Sequence, residues 1–272
     1  MKLHYLGTAA AESLPAIFCN CEVCRTAKSR GGREIRSRSQ ALINGKILID
    51  LPCDSLYHSL RDGIDLSAVE HCIITHTHGD HFYPKELYNM KPICAYNREA
   101  MHIYGNSSVG ETVEEITAST KGRVVFQKAE PFEPFFIEEI KITALKANHG
   151  TKDPYFYMIE DGQRALLYAH DTGIFPEETW EYLKGTGVVL DAVSFDCTEG
   201  AYDDLSYDNH MCLGRNIRCR EKMLELGIAD KDTAFILNHF SHNGLNVNYR
   251  EFCEIAEPLG FSVSYDGMII NI

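Results

Sequence analysis

The sequence predicts a mixed α/β fold of two β-sheets with helices on the outside. Three observations carry this. Apolar runs of strand length recur along the whole chain. They come first as meanders and then alternate with helical patterns. Hydrophobic residues make up 44% and aromatics 10% of 272 residues, ample for a packed core. With no long linker, repeat or low-complexity segment, residues 1–272 are expected to form a single domain.

In order, "KLHYLG" (2–7) reads as a strand. "ALINGKILIDL" (41–51) is two apolar runs around Asn44-Gly45, a hairpin signal. "SLYHSLRDG" (55–63) reads as a short helix ended by Gly63, and "HCIITH" (71–76) as a buried strand. "PKELYNM" (84–90) opens on Pro84, which suits a helix's first position. "KPICAY" (91–96) reads as a strand. Segment 100–122 shows no strong pattern and is expected to be a surface excursion or a lid. "GRVVFQ", "FFIEEIKITALKANH", "YFYMIED" and "RALLYAHD" follow as strands up to Asp171. "PEETWEYLKG" is a helix with Gly at its end, "VVLDAVSFD" a strand, and "MCLGRNIRCREKMLELG" a helix. "TAFILNHF" is a strand, "NYREFCEIAEPLG" a helix, and "FSVSYDGMIINI" a closing hairpin turned at Asp266-Gly267.

Net charge is −13. A protein that grips long nucleic acid normally shows a basic face, so no long RNA or DNA partner is expected. A small phosphorylated partner stays open. No stretch reaches membrane-spanning length, and the N-terminus does not read as a signal peptide, which makes the cytoplasm the expected location. A homodimer is compatible with the sequence but not specified by it. "RTAKSRGGREIRSRS" (25–39) opposes the acidic trend and reads as a solvated basic loop or an anion-attracting rim. Of ten cysteines, seven are dispersed and read as reduced core residues. The other three, Cys19, Cys21 and Cys24, lie in "CNCEVC", a clustering that suggests metal rather than a disulfide.

The densest chemistry is "THTHGDHF" (75–82). His76 and His78 stand two apart, so on extended backbone they point the same way and can share one ion. Asp80 and His81 follow Gly79 and point elsewhere, toward a second. Imidazole and carboxylate are ligands that Zn²⁺ and Mn²⁺ accept. Four side chains cannot fill two coordination spheres. His149, Asp171 and His239, each where an apolar strand stops, are the candidates to complete them.

This T-H-x-H-x-D-H run, the later His, the Asp of "HDTG" and the last His resemble the metallo-β-lactamase-fold hydrolases. Within them the chain is most similar to the carbon–phosphorus lyase accessory phosphodiesterases of phosphonate metabolism, at "CNCEVC", "NHFSH" and "YDGM". The resemblance implies a four-layer αββα sandwich. It implies that His76, His78 and His149 hold one metal, that Asp80, His81 and His239 hold the other, and that Asp171 bridges them. It also implies a structural zinc on Cys19, Cys21, Cys24 and His242. Asp50 matches an aspartate that orients metal-bound histidines, although the usual Gly after it is replaced by Leu51. His170 reads as a supporting or purely structural residue.

The expected activity is hydrolysis of a small phosphodiester, including cyclic ones, by hydroxide formed on two divalent ions (Zn or Mn). His210 is the candidate proton donor to the leaving alkoxide, with Asp80 as the second catalytic residue and Asp208 or Asn209 as orienters of His210 or as caps of the helix that follows. By resemblance, a ribose cyclic phosphate is the leading substrate type. The alternatives are an acyl hydrolase acting on lactones or thioesters, and a catalytically silent zinc-stapled binding module.

Overall fold

The computed structural model describes residues 1–201, 208–244 and 247–272. Two seven-stranded sheets face each other. The first runs β14 (Ile269–Asn271), β1 (Lys2–Gly7), β2 (Gln40–Ile43), β3 (Ile47–Ile49), β4 (His71–Ile73), β5 (Met101–Gly105), β6 (Val124–Lys128). The second runs β13 (Ser262–Val263), β12 (Ala234–Asn238), β11 (Ala192–Asp196), β10 (Ala165–Ala169), β9 (Tyr155–Glu160), β8 (Ile140–Lys146), β7 (Pro134–Ile137). Each sheet is mixed. The ladders β1·β2, β2·β3 and β8·β9 are antiparallel, whereas β3·β4·β5·β6 and β10·β11·β12·β13 are parallel.

One hydrophobic cluster, including Leu3, Tyr5, Ile43, Ile73, Tyr157, Tyr168 and Ile236, fills the space between the sheets. A second packs the outer face of sheet two against α4 (Glu177–Thr186), α5 (Leu213–Glu225) and α6 (Tyr249–Ala256), and takes in Ala27 of α1 (Glu22–Arg30). A third packs Val109, Val113 and Ile116 of α3 (Ser107–Thr120) against Ile103 and Val124 of sheet one. On the same sheet, α2 (Ser55–Asp62) buries Ser55 and His58. Helix, sheet, sheet, helix is the expected αββα order, and it follows from strands that are apolar on both faces. Among the described residues, no helix is long and apolar enough to cross a membrane.

Four expectations about elements need correction. "KPICAY" is a run of turns, closed by Cys94 N–H and Ala95 N–H donating to Lys91 O. Its Ile93 and Tyr96 are exposed, so its apolar letters mark no buried face. Segment 100–122 is no excursion: it supplies β5, inside sheet one, and α3, which buries Val109, Val113, Ile116 and Thr120 at helical spacing. "FSVSYDGMIINI" is not a hairpin. The Asp266-Gly267 turn carries the chain from β13 in one sheet to β14 in the other. The basic stretch is not one solvated loop, because Arg36 is only 1% exposed and lies over the Phe240 ring, 4.1 Å from its centroid. Of the dispersed cysteines, Cys53 and Cys94 are exposed rather than core.

Candidate metal centre

The strand tips converge at one edge of the sandwich. β4 ends and its extension delivers His76, His78, Asp80 and His81. β8 leads to His149, β10 to Asp171 and β12 to His239. Asp50, Asp171 and His239 all adopt left-handed backbone, with φ of 67°, 50° and 62°, within two residues of the ends of their strands. Non-glycine residues in that region are strained, and such strain gathers where a side chain must be aimed.

Asp171 is the hub. Its Oδ2 lies 2.8 Å from His81 Nε2, 3.2 Å from His76 Nε2 and 3.7 Å from His149 Nε2. Its Oδ1 lies 3.2 Å from His239 Nε2. His149 Nε2 and His78 Nδ1 are 3.1 Å apart. His76, His78, His149 and Asp171 thus form one group whose ligand atoms lie within 4.8 Å of one another, and Asp80, His81, Asp171 and His239 form a second. These are the two sets expected from the sequence, with Asp171 common to both.

The donors fit divalent cations. His76 Nε2 and Asp171 Oδ1 are buried yet have no hydrogen-bond partner among the described residues. Buried polar atoms are normally satisfied, so orphans aimed into one cluster fit a site for ions. Imidazole with carboxylate suits Zn²⁺ or Mn²⁺. Burial alone would raise the Asp171 carboxyl, but the imidazoles of His239 and His81 outweigh it and hold it well below the usual range.

Supporting contacts fix the ring orientations. Asp50 Oδ2 is 2.7 Å from His81 Nδ1, and Asp50 also accepts from Thr75 N–H and Oγ1. Thr198 Oγ1 sits 2.8 Å from His239 Nδ1. His149 Nδ1 is 3.4 Å from Asn209 O. His170 is buried away from the cluster's centre, 2.7 Å from Ser194 Oγ and 3.2 Å from Asn238 Nδ2.

His210 stands 3.5 Å from Asp171 Oδ1 and lines the cavity of about 410 Å³ over the cluster, with His78, Asp80, His149 and His239. Its expected orienters are not its partners. Asp208 is exposed and lies 3.4 Å from Arg215, and the cap of α5 is Cys212, whose sulfur accepts from Arg215 N–H. Asp196, at the end of β11, takes that place: its Oδ2 is 2.9 Å from His210 Nδ1. Burial disfavours the imidazolium, but Asp196 outweighs it and lifts His210 to about 9. Asp196 could have been suspected as one more strand-end carboxylate, but nothing local ties it to residue 210.

A second cluster joins Cys19, Cys21, Cys24 and His242, again within 4.8 Å. His242 Nδ1 is 3.6 Å from Cys19 Sγ and 3.5 Å from Cys21 Sγ. Cys21 also caps α1, its sulfur accepting from Cys24 N–H. Burial opposes its thiolate, but that N–H and the His242 imidazole draw Cys21 down to about 6.

The beta-lactamase superfamily domain matches residues 47–226, two thirds of the chain. The chain belongs to the metallo-β-lactamase superfamily. A structure described as a new diphosphatase from the PhnP family superposes with a TM-score of 0.76 at 21% identity, covering 99% of this chain and 96% of that one. Zn²⁺-bound PqqB from Methylobacterium extorquens gives 0.78 at 17%, covering 100% of each. Among curated relatives, Porphyromonas gingivalis octanoyltransferase is 27% identical over 184 residues, 61% of this chain and 34% of that protein. Listeria innocua ribonuclease Z is 26% identical over 176 residues, 62% of this chain and 52% of that protein. The superfamily chain therefore spans about a third and about half of these two relatives.

Proposed function

We propose that this protein is a metal-dependent phosphodiesterase acting on small phosphodiesters, cyclic ones included. The observation that carries the reading is the half-buried His210, paired with the buried Asp196 beside the Asp171 hub. Acyl hydrolysis has less need of a proton donor, whereas an alkoxide leaving from phosphorus is a poor leaving group. The diphosphatase and the ribonuclease among the similar proteins, both of which act at phosphorus, support it.

His76, His78 and His149 would hold one divalent ion and Asp80, His81 and His239 the other, with Asp171 shared. Ions there supply a water-derived nucleophile at neutral pH and neutralise charge gathering on the phosphoryl oxygens. Asp50 and Thr198 keep the His81 and His239 rings aimed. Asp196 accepts the Nδ1 proton of His210, which leaves the other ring nitrogen to protonate the departing alcohol. Cys19, Cys21, Cys24 and His242 would hold a structural zinc that ties the N-terminal loop to the segment after His239. A long RNA substrate is disfavoured by the net charge of −13.

The test is turnover of bis(p-nitrophenyl) phosphate with added Mn²⁺ or Zn²⁺, beside a lactone and a thioester. Metal-dependent release of p-nitrophenol is expected. Clear lactone or thioester cleavage without it would overturn the reading. Efficient cleavage of precursor tRNA would move the substrate class to RNA.

A further inference from the structure

Asp171 presents its two oxygens to different neighbours. Oδ2 faces His76 and His149 of one ligand set and His81 of the other, so this single atom can serve both sets. Oδ1 lies 3.2 Å from His239 Nε2 and 3.5 Å from His210 Nδ1. It is buried without a hydrogen-bond partner among the described residues. His210 Nδ1 is in turn 2.9 Å from Asp196 Oδ2. Asp171, Asp196, His210 and His239 thus form a further group whose ligand atoms lie within 4.8 Å of one another.

His239 is already engaged, with Nε2 in the second set and Nδ1 2.8 Å from Thr198 Oγ1. Three donors remain: Asp171 Oδ1, Asp196 Oδ2 and His210 Nδ1. Three protein ligands with a place for water is how zinc is held at an open site. Asp196 is rigidly placed for this role. It is fully buried, and its Oδ1 accepts from Thr198 N–H and Met211 N–H. The approach is acidic as well. Glu12, Asp80 and Glu199 line the cavity, with no Lys or Arg among its described lining residues, and such a field draws cations in.

We propose that Asp171, Asp196 and His210 form an inhibitory zinc site, filled when zinc exceeds what the two ligand sets and the cysteine cluster take. This rests on the phosphodiesterase reading, because the ion removes the proton donor of that reaction. Zn²⁺ takes the place of the His210 Nδ1 hydrogen, which leaves as a proton to solvent. The ring keeps its Nε2–H, but giving that up would leave an anionic ring, so His210 no longer serves the departing alcohol. The ion must displace a hydrogen-bonded proton and borrow an oxygen of Asp171, so this site is the last to fill.

The experiment equilibrates the full chain with zinc at rising free concentrations and counts ions per chain by elemental analysis. Wild type should pause at about three ions and then take up one more. His210→Ala and Asp196→Asn should stop at the first plateau, which also shows that they fold and keep their other ions. If Asp196→Asn does not reach that plateau, His210→Ala carries the comparison alone. A wild type that stops at the first plateau overturns the proposal, as does uptake of the further ion by the variants. Along the same titration, turnover of adenosine 2′,3′-cyclic phosphate should fall by ~10²-fold or more as the last ion binds. Turnover of bis(p-nitrophenyl) phosphate should fall by less than ~3-fold, because its leaving group needs little help from an acid. Equal inhibition on both substrates overturns the capture of His210. If neither substrate is turned over, the phosphodiesterase reading fails, while the ion count still decides on the site.

Discussion

Asp196 Oδ2 and His210 Nδ1 are 2.9 Å apart, and the other oxygen of Asp196 accepts the backbone N–H groups of Thr198 and Met211. A carboxylate fixed at three points can hold an imidazole in one tautomer. His210→Ala should therefore lower kcat on alkyl phosphodiesters by ~10²–10⁴-fold, the usual worth of a placed proton donor. Activity on bis(p-nitrophenyl) phosphate, whose leaving group needs little help, should fall far less. Equal losses on both substrates would count against a proton-donor role. Asp196→Asn should show the same leaving-group dependence at smaller size.

Gly173 offers a geometric test of the same unit. A Cβ there would lie 1.7 Å from Asp208 O, on the segment that leads to His210. Gly173→Ala should displace that segment. Turnover should fall while elemental analysis still finds the active-site ions. Full activity would mean that the close approach is not needed.

Asp171 touches both ligand groups. Asp171→Ala should lose both active-site ions but keep the zinc on the cysteines, so metal content should fall from about three ions per chain to about one. Chelation of wild type should lower Tm, because ions that bind only the folded chain stabilise it by ~2.7 kcal/mol at a hundredfold excess over Kd. A chelator-insensitive Tm would show that the orphaned atoms of His76 and Asp171 hold nothing.

The cysteine cluster should act on stability before chemistry. Cys21→Ser removes one sulfur near His242 while its hydroxyl can still cap α1, so the change isolates the metal contribution. Zinc content should fall by one ion and Tm by several degrees, at ~2–4 °C per kcal/mol for chains of this size. Unchanged zinc content would exclude Cys21 as a ligand.

His58 gives a pH dependence away from the metals. It is buried on α2, with Nδ1 2.6 Å from Gln40 Oε1 and Nε2 2.7 Å from Ser37 Oγ. Burial, helped by Arg61, pushes it down to about 4 from 6.5. The unfolded chain therefore binds this proton more readily than the folded one. The contribution is fully present above pH 6.5 and is lost as pH falls from 6.5 toward 4, by up to ~3 kcal/mol. Urea denaturation at pH 7 and 4.5 should show that His58→Asn is less stable at pH 7 but loses less on acidification. Parallel pH slopes would refute this.

Read residue by residue, the chain determined most of the fold and named the candidate donors that the strand tips bring together. Period and turn chemistry are local, so the strands leading to His76, Asp171 and His239, and the hairpin at Asn44-Gly45, were legible. The αββα layering came through resemblance, because periodicity alone does not assign a strand to a sheet. That is why β13 and β14 looked like a hairpin although they belong to opposite sheets. Segment 100–122 hid β5 and α3 because polar letters dilute a correct helical spacing.

Distances between strand tips are a property of packing alone. Only the tertiary structure brought Asp171 to within 3.7 Å of five imidazoles, put Asp196 rather than Asp208 behind His210, and set Arg36 inside the core. Each of these pairs residues that are far apart in the chain or on unrelated elements, and no local pattern encodes such a meeting. Sequence names the groups able to do the chemistry; burial and convergence decide which of them face one another.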